Sequence, residues 1–173
     1  LIRRRWLDNH FYGTTYSLNY KNSNLSIIFG GGYNNYDGRH FGELIWMRFA
    51  NNTGKGYRYY DNDANKKDFN SFLKVDYLVG EKLTLFADLQ VRTVDYSTQG
   101  KDNNLTMINI DTNFVFVNPK GGLNYQINTK IRAYASVSIG NREPVRTDFI
   151  DNPANKQPKH ETMIDYEGGV EAK

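Results

Sequence analysis

The sequence contains no cysteine. That excludes a disulfide framework, a catalytic thiolate and a thiolate-held metal. No run of about 18 apolar residues occurs, which excludes a membrane-spanning helix. Proline is scarce, at 4, and histidine scarcer still, with only His10, His40 and His160. These three are far apart and show no H-x-x-E-H type spacing, so no metal motif is present. Charge of one sign is not in excess: 22 basic residues stand against 19 acidic ones, for a net charge of +3. The charges alternate with apolar residues and form no basic stripe, which argues against a nucleic-acid partner. No Ser-His-Asp, Cys-His or phosphate-loop arrangement is found, and the Asp61/Asp63 pair has no acid–base setting. No enzyme and no cofactor are expected.

What is abundant is aromatic and small: 13 tyrosines, 10 phenylalanines and 15 glycines. That composition points to an all-β protein. Its mean hydropathy is negative, which still permits a membrane barrel, because only alternate strand residues meet lipid. The organising stretch is Lys82–Thr98. Leu83, Leu85, Ala87, Leu89 and Val91 fall on one parity, and Thr84, Asp88, Gln90 and Arg92 on the other, with Phe86 the exception. A period of two is the mark of a strand with one apolar and one wet face. A tight turn over Val79–Lys82 joins it to a matching strand, Phe69–Val79, and the pair reads as an antiparallel hairpin.

The rest of the chain repeats this unit. Strands are expected over Phe11–Lys21, Leu25–Asn34, Phe114–Ile127, Ile131–Gly140 and Ile164–Lys173. Gly30, Gly31 and Gly32 predict a close backbone approach or a kink, and Pro119 a strand start or bulge. Short turns, Asn22–Asn24 and Asn128–Lys130, alternate with long polar connections at Asn35–Asp68, Gln99–Asn113 and Asn141–Thr162. Within these, LIWMRFA (Leu44–Ala50) reads as a short strand or a helical turn, and LTMINI (Leu105–Ile110) is ambiguous. Strict short–long alternation puts all turns at one rim of a meander and all loops at the other, as in outer-membrane barrels. The expected strands, about 10 to 15 residues, suit a bilayer crossing of about 9–11 residues better than the usual soluble length. Tyr12, Tyr20, Tyr33, Tyr77, Tyr125 and Tyr166 lie on the apolar parity, where aromatic girdles sit. The fold class is therefore read as an antiparallel up-and-down transmembrane β-barrel segment of about seven strands. A soluble β-barrel binding a small apolar ligand has the same period with the apolar face inward, and remains the alternative.

Longer phrases carry a resemblance. WLDNHFYGTTYSLNY, GYNNYDGRHFGE, YRYYDNDANKKDFNSFLKVDY, LFADLQVRTVDY, NPKGGLNYQI, ASVSIGNREPVRTDF and PKHETMIDYEGGVE follow one another along nearly the whole chain. Together they resemble the TonB-dependent outer-membrane receptors of the Bacteroidetes type. The resemblance implies a barrel of about 22 strands with an N-terminal plug, importing iron chelates (ferric siderophores), cobalamin, haem or glycans across the Gram-negative outer membrane with energy from TonB. Residues 1–173 then form a partial barrel domain, with no plug or TonB-box segment, from the C-terminal half of such a receptor. Its expected partners are outer-membrane lipid, the imported ligand, and the TonB complex through the missing plug.

Candidate ligand contacts follow from the first long connection. Arg39, His40, Arg58, Tyr59 and Tyr60 combine cations with aromatic rings, which suits an anionic, aromatic-bearing ligand such as a ferric catecholate. The competing reading is that they pack the loop against itself. Asp61, Asn62, Asp63 and Asn65 lack the downstream Gly and Glu of a calcium loop. NREPVRTD places Arg142, Glu143, Arg146 and Asp148 at a strand end, and reads as a structural ion-pair network inside the barrel, where buried charges need partners. The polar parity (Lys74, Asp76, Asp88, Arg92, Lys120, Arg132) is the expected lumen wall.

Overall fold

A computed structural model describes residues 1–49, 52–152 and 157–172. Seven strands make one antiparallel sheet in the order of the chain: β1 (Ile2–Lys21), β2 (Leu25–Trp46), β3 (Arg58–Val79), β4 (Leu83–Lys101), β5 (Met107–Gln126), β6 (Ile131–Arg142) and β7 (Glu161–Ala172). β1 and β7 are the two edges. Alternation builds these strands, and Asx chemistry closes the turns between them. Asn22 Oδ1 accepts from the Asn24 and Leu25 amides, and Asn128 Oδ1 accepts from those of Lys130 and Ile131. Such side-chain-to-backbone bonds mimic a backbone turn. The third tight turn relies on Gly80, at φ +66°, a conformation that costs glycine little.

The register sorts the side chains onto two faces. Leu73 pairs with Leu89, Val75 with Ala87 and Tyr77 with Leu85; Leu85 then pairs with Leu123 and Val91 with Val117. This apolar face is uncovered: Leu73, Leu85, Leu89 and Val137 are each 42–47% exposed. On β3 it runs from Phe69 to Val79, about 33 Å along the strand. At a strand tilt of about 40° that is a band about 25 Å tall, the height of a bilayer's apolar belt. Tyr20, Tyr77 and Tyr125 lie towards its turn end. At the other end, Tyr12 and Tyr33 give way to a polar seam in which Asn35 donates to Tyr12 Oη and accepts from Asn65 Nδ2. The opposite face carries the polar parity and is called the inner face, because the β6–β7 connection folds onto it.

The long connections differ from expectation. The polar stretch Asn35–Asp68 is mostly strand: β2 continues to Trp46 and β3 starts at Arg58. Leu44–Trp46 belong to β2, and Ala50 lies outside the described residues. Gln99–Asn113 shrinks to Asp102–Thr106, whose turn is held by Asp102 Oδ1 accepting from the Asn104 and Thr106 amides. The Met107–Ile110 part of LTMINI is strand. Once a strand rises above the belt both faces are wet, so alternation fades from the sequence while the ladder goes on. β2, β3 and β4 are 22, 22 and 19 residues long, about twice a bilayer crossing.

The three glycines are a close approach without a kink, since the β2–β3 register runs unbroken through them. Gly30 faces Phe72 across the ladder, and a Cβ there would lie 2.8 Å from its ring. The same device recurs. Phe86, the parity exception, covers its cross-strand partner Gly122, Tyr16 covers Gly31 and Tyr134 covers Gly169. Pro119 stands within β5, paired with Leu89, and the β5–β6 ladder stops one residue later at Lys120/Ser138. Proline has no amide proton to continue it. Past that point Asn141 takes over: its amide donates to Asn118 Oδ1 and its Nδ2 to the Val117 carbonyl.

Candidate functional site

Above the belt, the inner face has the only well-buried cluster among the described residues. Tyr60, Ala64, Val94, Ile108 and Phe116 are its apolar members, with Asn62, Asp68 and Thr98 among them. The connection after β6 covers it. This segment contains one short helix, α1 (Arg146–Asp151), whose start is fixed by Asp148 accepting from the Val145 amide. Phe149 of α1 packs on Tyr96, and His160 sets its ring edge-on to Phe116.

Glu143 anchors the connection. It accepts from Lys66 at 2.6 Å and from Arg92 Nη1 at 2.9 Å, while Arg92 also holds Asp68 through Nε at 3.0 and 3.1 Å. Two carboxylates and two cations thus balance in a half-buried knot. Burial alone pushes the Glu143 carboxyl up, but hydrogen bonds from Lys66, its own backbone and Arg92 outweigh that and hold it down at about 2. Charge-assisted bonds favour the ionised form in this way.

The four residues of the NREPVRTD stretch take separate places. Glu143 joins the inner knot. Arg142 pairs with Glu161 at 2.8 Å, on exposed side chains. Asp148 caps α1. Arg146 reaches Asn62 Oδ1 at 3.3 Å.

The five candidate ligand contacts are divided by the sheet. A bulge between Gly42 and Glu43 pairs Gly42 with Tyr60 and Glu43 with Arg58. It leaves Tyr59 as the extra residue, and puts Arg58 on the outer face beside Arg39. There Asp61 takes Arg39 through two bonds, at 3.0 and 2.9 Å, and Arg58 at 2.8 Å. Arg58 also stacks 3.8 Å above the Phe41 ring. Both arginines are therefore already satisfied, and Asp61 is shielded by them from any cation. Among the described residues no group of three His, Cys, Asp or Glu could hold a metal. His40, Tyr59 and Tyr60 are inward. His40 Nε2 meets Tyr36 Oη at 2.9 Å and Asn9 Oδ1 at 3.2 Å. Tyr59 and Tyr60 meet edge-to-face at 5.0 Å, and the Tyr59 hydroxyl is buried without a hydrogen-bond partner. Sequence reasoning passed over Tyr36 and Tyr96, although both sit on the parity that continues the lumen wall.

Solved structures share this architecture at low identity. The copper transporter OprC superposes with a TM-score of 0.80 at 11% identity, over 99% of this chain and 28% of that one. The ferric yersiniabactin uptake receptor FyuA from Yersinia pestis gives 0.63 at 11% identity, over 99% and 27%. The unliganded ferric citrate transporter FecA gives 0.50 at 13% identity, over 80% and 21%. The chain spans less than a third of the length of each. No curated protein matches the sequence. The family model "TonB dependent receptor-like, beta-barrel" matches residues 3–172. Nearly every residue is covered, and the seven-stranded meander agrees with it: the chain belongs to the TonB-dependent receptor β-barrel family.

Proposed function

We propose that this chain is part of the barrel wall of an outer-membrane transporter that imports a scarce ligand, an iron chelate (siderophore or haem) in first place, with energy from the TonB complex. It supplies wall, lumen surface and the external rim, and does no covalent chemistry. The sequence phrases quoted above favour a receptor of the Bacteroidetes type and a position in the C-terminal half of its barrel. The observation that carries the transporter reading is the uncovered apolar band from Phe69 to Val79 and its neighbours, backed on the other face by charged and amide side chains. In water such a band is an association hazard; in a bilayer it is the required surface. A soluble barrel needs those residues packed inside.

The test uses the full-length protein that contains this chain, expressed in a Gram-negative host. It should fractionate with the outer membrane, and cells should accumulate a radio-iron chelate only when TonB is present. Recovery as a freely soluble protein, or accumulation indifferent to TonB, would overturn the proposal.

A further inference from the structure

The inner-face charges above the belt are unevenly compensated. Arg92 is held by Asp68 and Glu143, Lys66 by Glu143, and Arg142 by Glu161. Among the described residues Arg146 has no carboxylate within salt-bridge distance, and it donates a hydrogen bond to the neutral Asn62. Arg146 is only partly exposed, and a shielded cation without a counter-charge is costly. Arg3 and Arg5, on the same face of β1, also lack a carboxylate partner among the described residues, and Arg3 sits 5.1 Å from the Tyr59 ring. The guanidinium of Arg146 is near enough to Tyr36, His40, Tyr60 and Tyr96 for its charge to act on each of them. Beside it opens a cavity of about 290 Å³, bounded by Lys66, Tyr96, Phe114, Arg142, Glu143, Pro144, Val145 and Arg146; its one carboxylate, Glu143, is already neutralised by Lys66 and Arg92.

We infer that this cavity binds a small ligand bearing oxyanions, with Arg146 as the principal charge contact and the Tyr96 phenol as a hydrogen-bond donor. The inference rests on the transporter reading and gives its cargo a charge class. The guanidinium fork donates two parallel N–H bonds to a carboxylate or a phosphate. The Tyr96 phenol O–H serves a remaining lone pair. Phe114, Pro144 and Val145 add apolar surface to the lining. The volume lies at the lower end of ligand pockets, about 300 Å³, so the group held is small. Arg39 and Arg58 play no part, because Asp61 already occupies them.

The test is calorimetric titration of the full-length protein in detergent with iron(III) citrate, inorganic phosphate and, as a neutral control, an iron(III) trihydroxamate. The variants are R146A, R146K and, on the exposed side of α1, T147A. At least one anion should bind. R146A should weaken it about ten-fold or more, the scale of a hydrogen bond to a charged group, with R146K between and T147A unchanged. The neutral chelate should respond equally to wild type and R146A. Binding of citrate alone assigns a carboxylate ligand, and of phosphate alone a phosphate ligand. Failure of both anions to bind wild type overturns the inference, as does wild-type affinity in R146A or an equal loss of the neutral chelate. If it falls while TonB-dependent accumulation persists, only the charge class has failed, and the transporter reading stands.

Discussion

Glu143 is the residue on which the inner covering depends. Its ordinary carboxyl value is 4.5, and in the folded chain it is held at about 2. A carboxyl depressed by folding contributes stability that is complete above its ordinary value and is lost as pH falls towards the folded one. Docking of the 143–152 segment should therefore weaken between about pH 4.5 and about pH 2, and be steady from there to neutrality. Hydrogen exchange of the α1 amides measures it. E143Q should raise their exchange rate at pH 7 and remove most of the acid dependence. An acid profile in E143Q that matches wild type would place the titrating group elsewhere. At this scale the sequence was only partly readable. That Glu143 needed a buried partner follows from its place at a strand end, but the partners, Lys66 and Arg92, are more than fifty residues upstream or on another strand. Nor could spacing reveal that one bulge at Gly42/Glu43 turns Arg58 outward while Tyr60 points in.

At the scale of the strand, the two faces make opposite demands. Leu89 is 47% exposed and pairs with Leu73 near the middle of the belt, whereas Gln90 accepts from Asn118 on the inner face. L89R should cost about 2–4 kcal/mol of barrel stability, the scale of a lipid-facing arginine near the midplane. Q90R should cost about 1 kcal/mol, the worth of the lost hydrogen bond. Urea titration of the full-length protein in lipid vesicles separates them, and equal costs would refute the facing. The aromatic–glycine pairs give a second handle. A Cβ at Gly122 would lie 2.7 Å from the Phe86 ring, so G122V should destabilise by about 1–3 kcal/mol through overpacking, with G122V/F86A recovering part of the loss. Strands below the upper girdle were legible because water and hydrocarbon impose different side chains on alternate positions. Above it Asp37, Asp63, Asp95 and Asp111 point outward into water, the contrast vanishes, and extended ladders read as loops.

At the largest scale the described residues form an open sheet with an uncovered greasy band, bounded by β1 and β7. Expressed alone in water, this chain should self-associate, and detergent should disperse it, as exposed edges and large apolar patches predict. Sedimentation with and without detergent decides it; a monodisperse monomer in plain buffer would contradict the membrane facing. The architecture was legible at this scale from strand count and the short–long rhythm of connections. The inner site was not, because it is assembled from four strands and a returning segment whose contacts have no local signature.

β1 presents 20 residues of unpaired backbone and β7 only 12. A neighbour able to satisfy all of β1 has to be longer than one that suffices beside β7, in the ratio of 20 residues to 12. The sheet's outer lip therefore slopes, with a parapet along β1 to β5 and a low sill at β6 and β7. The returning segment between β6 and β7 lies over the inner face on the side of that sill.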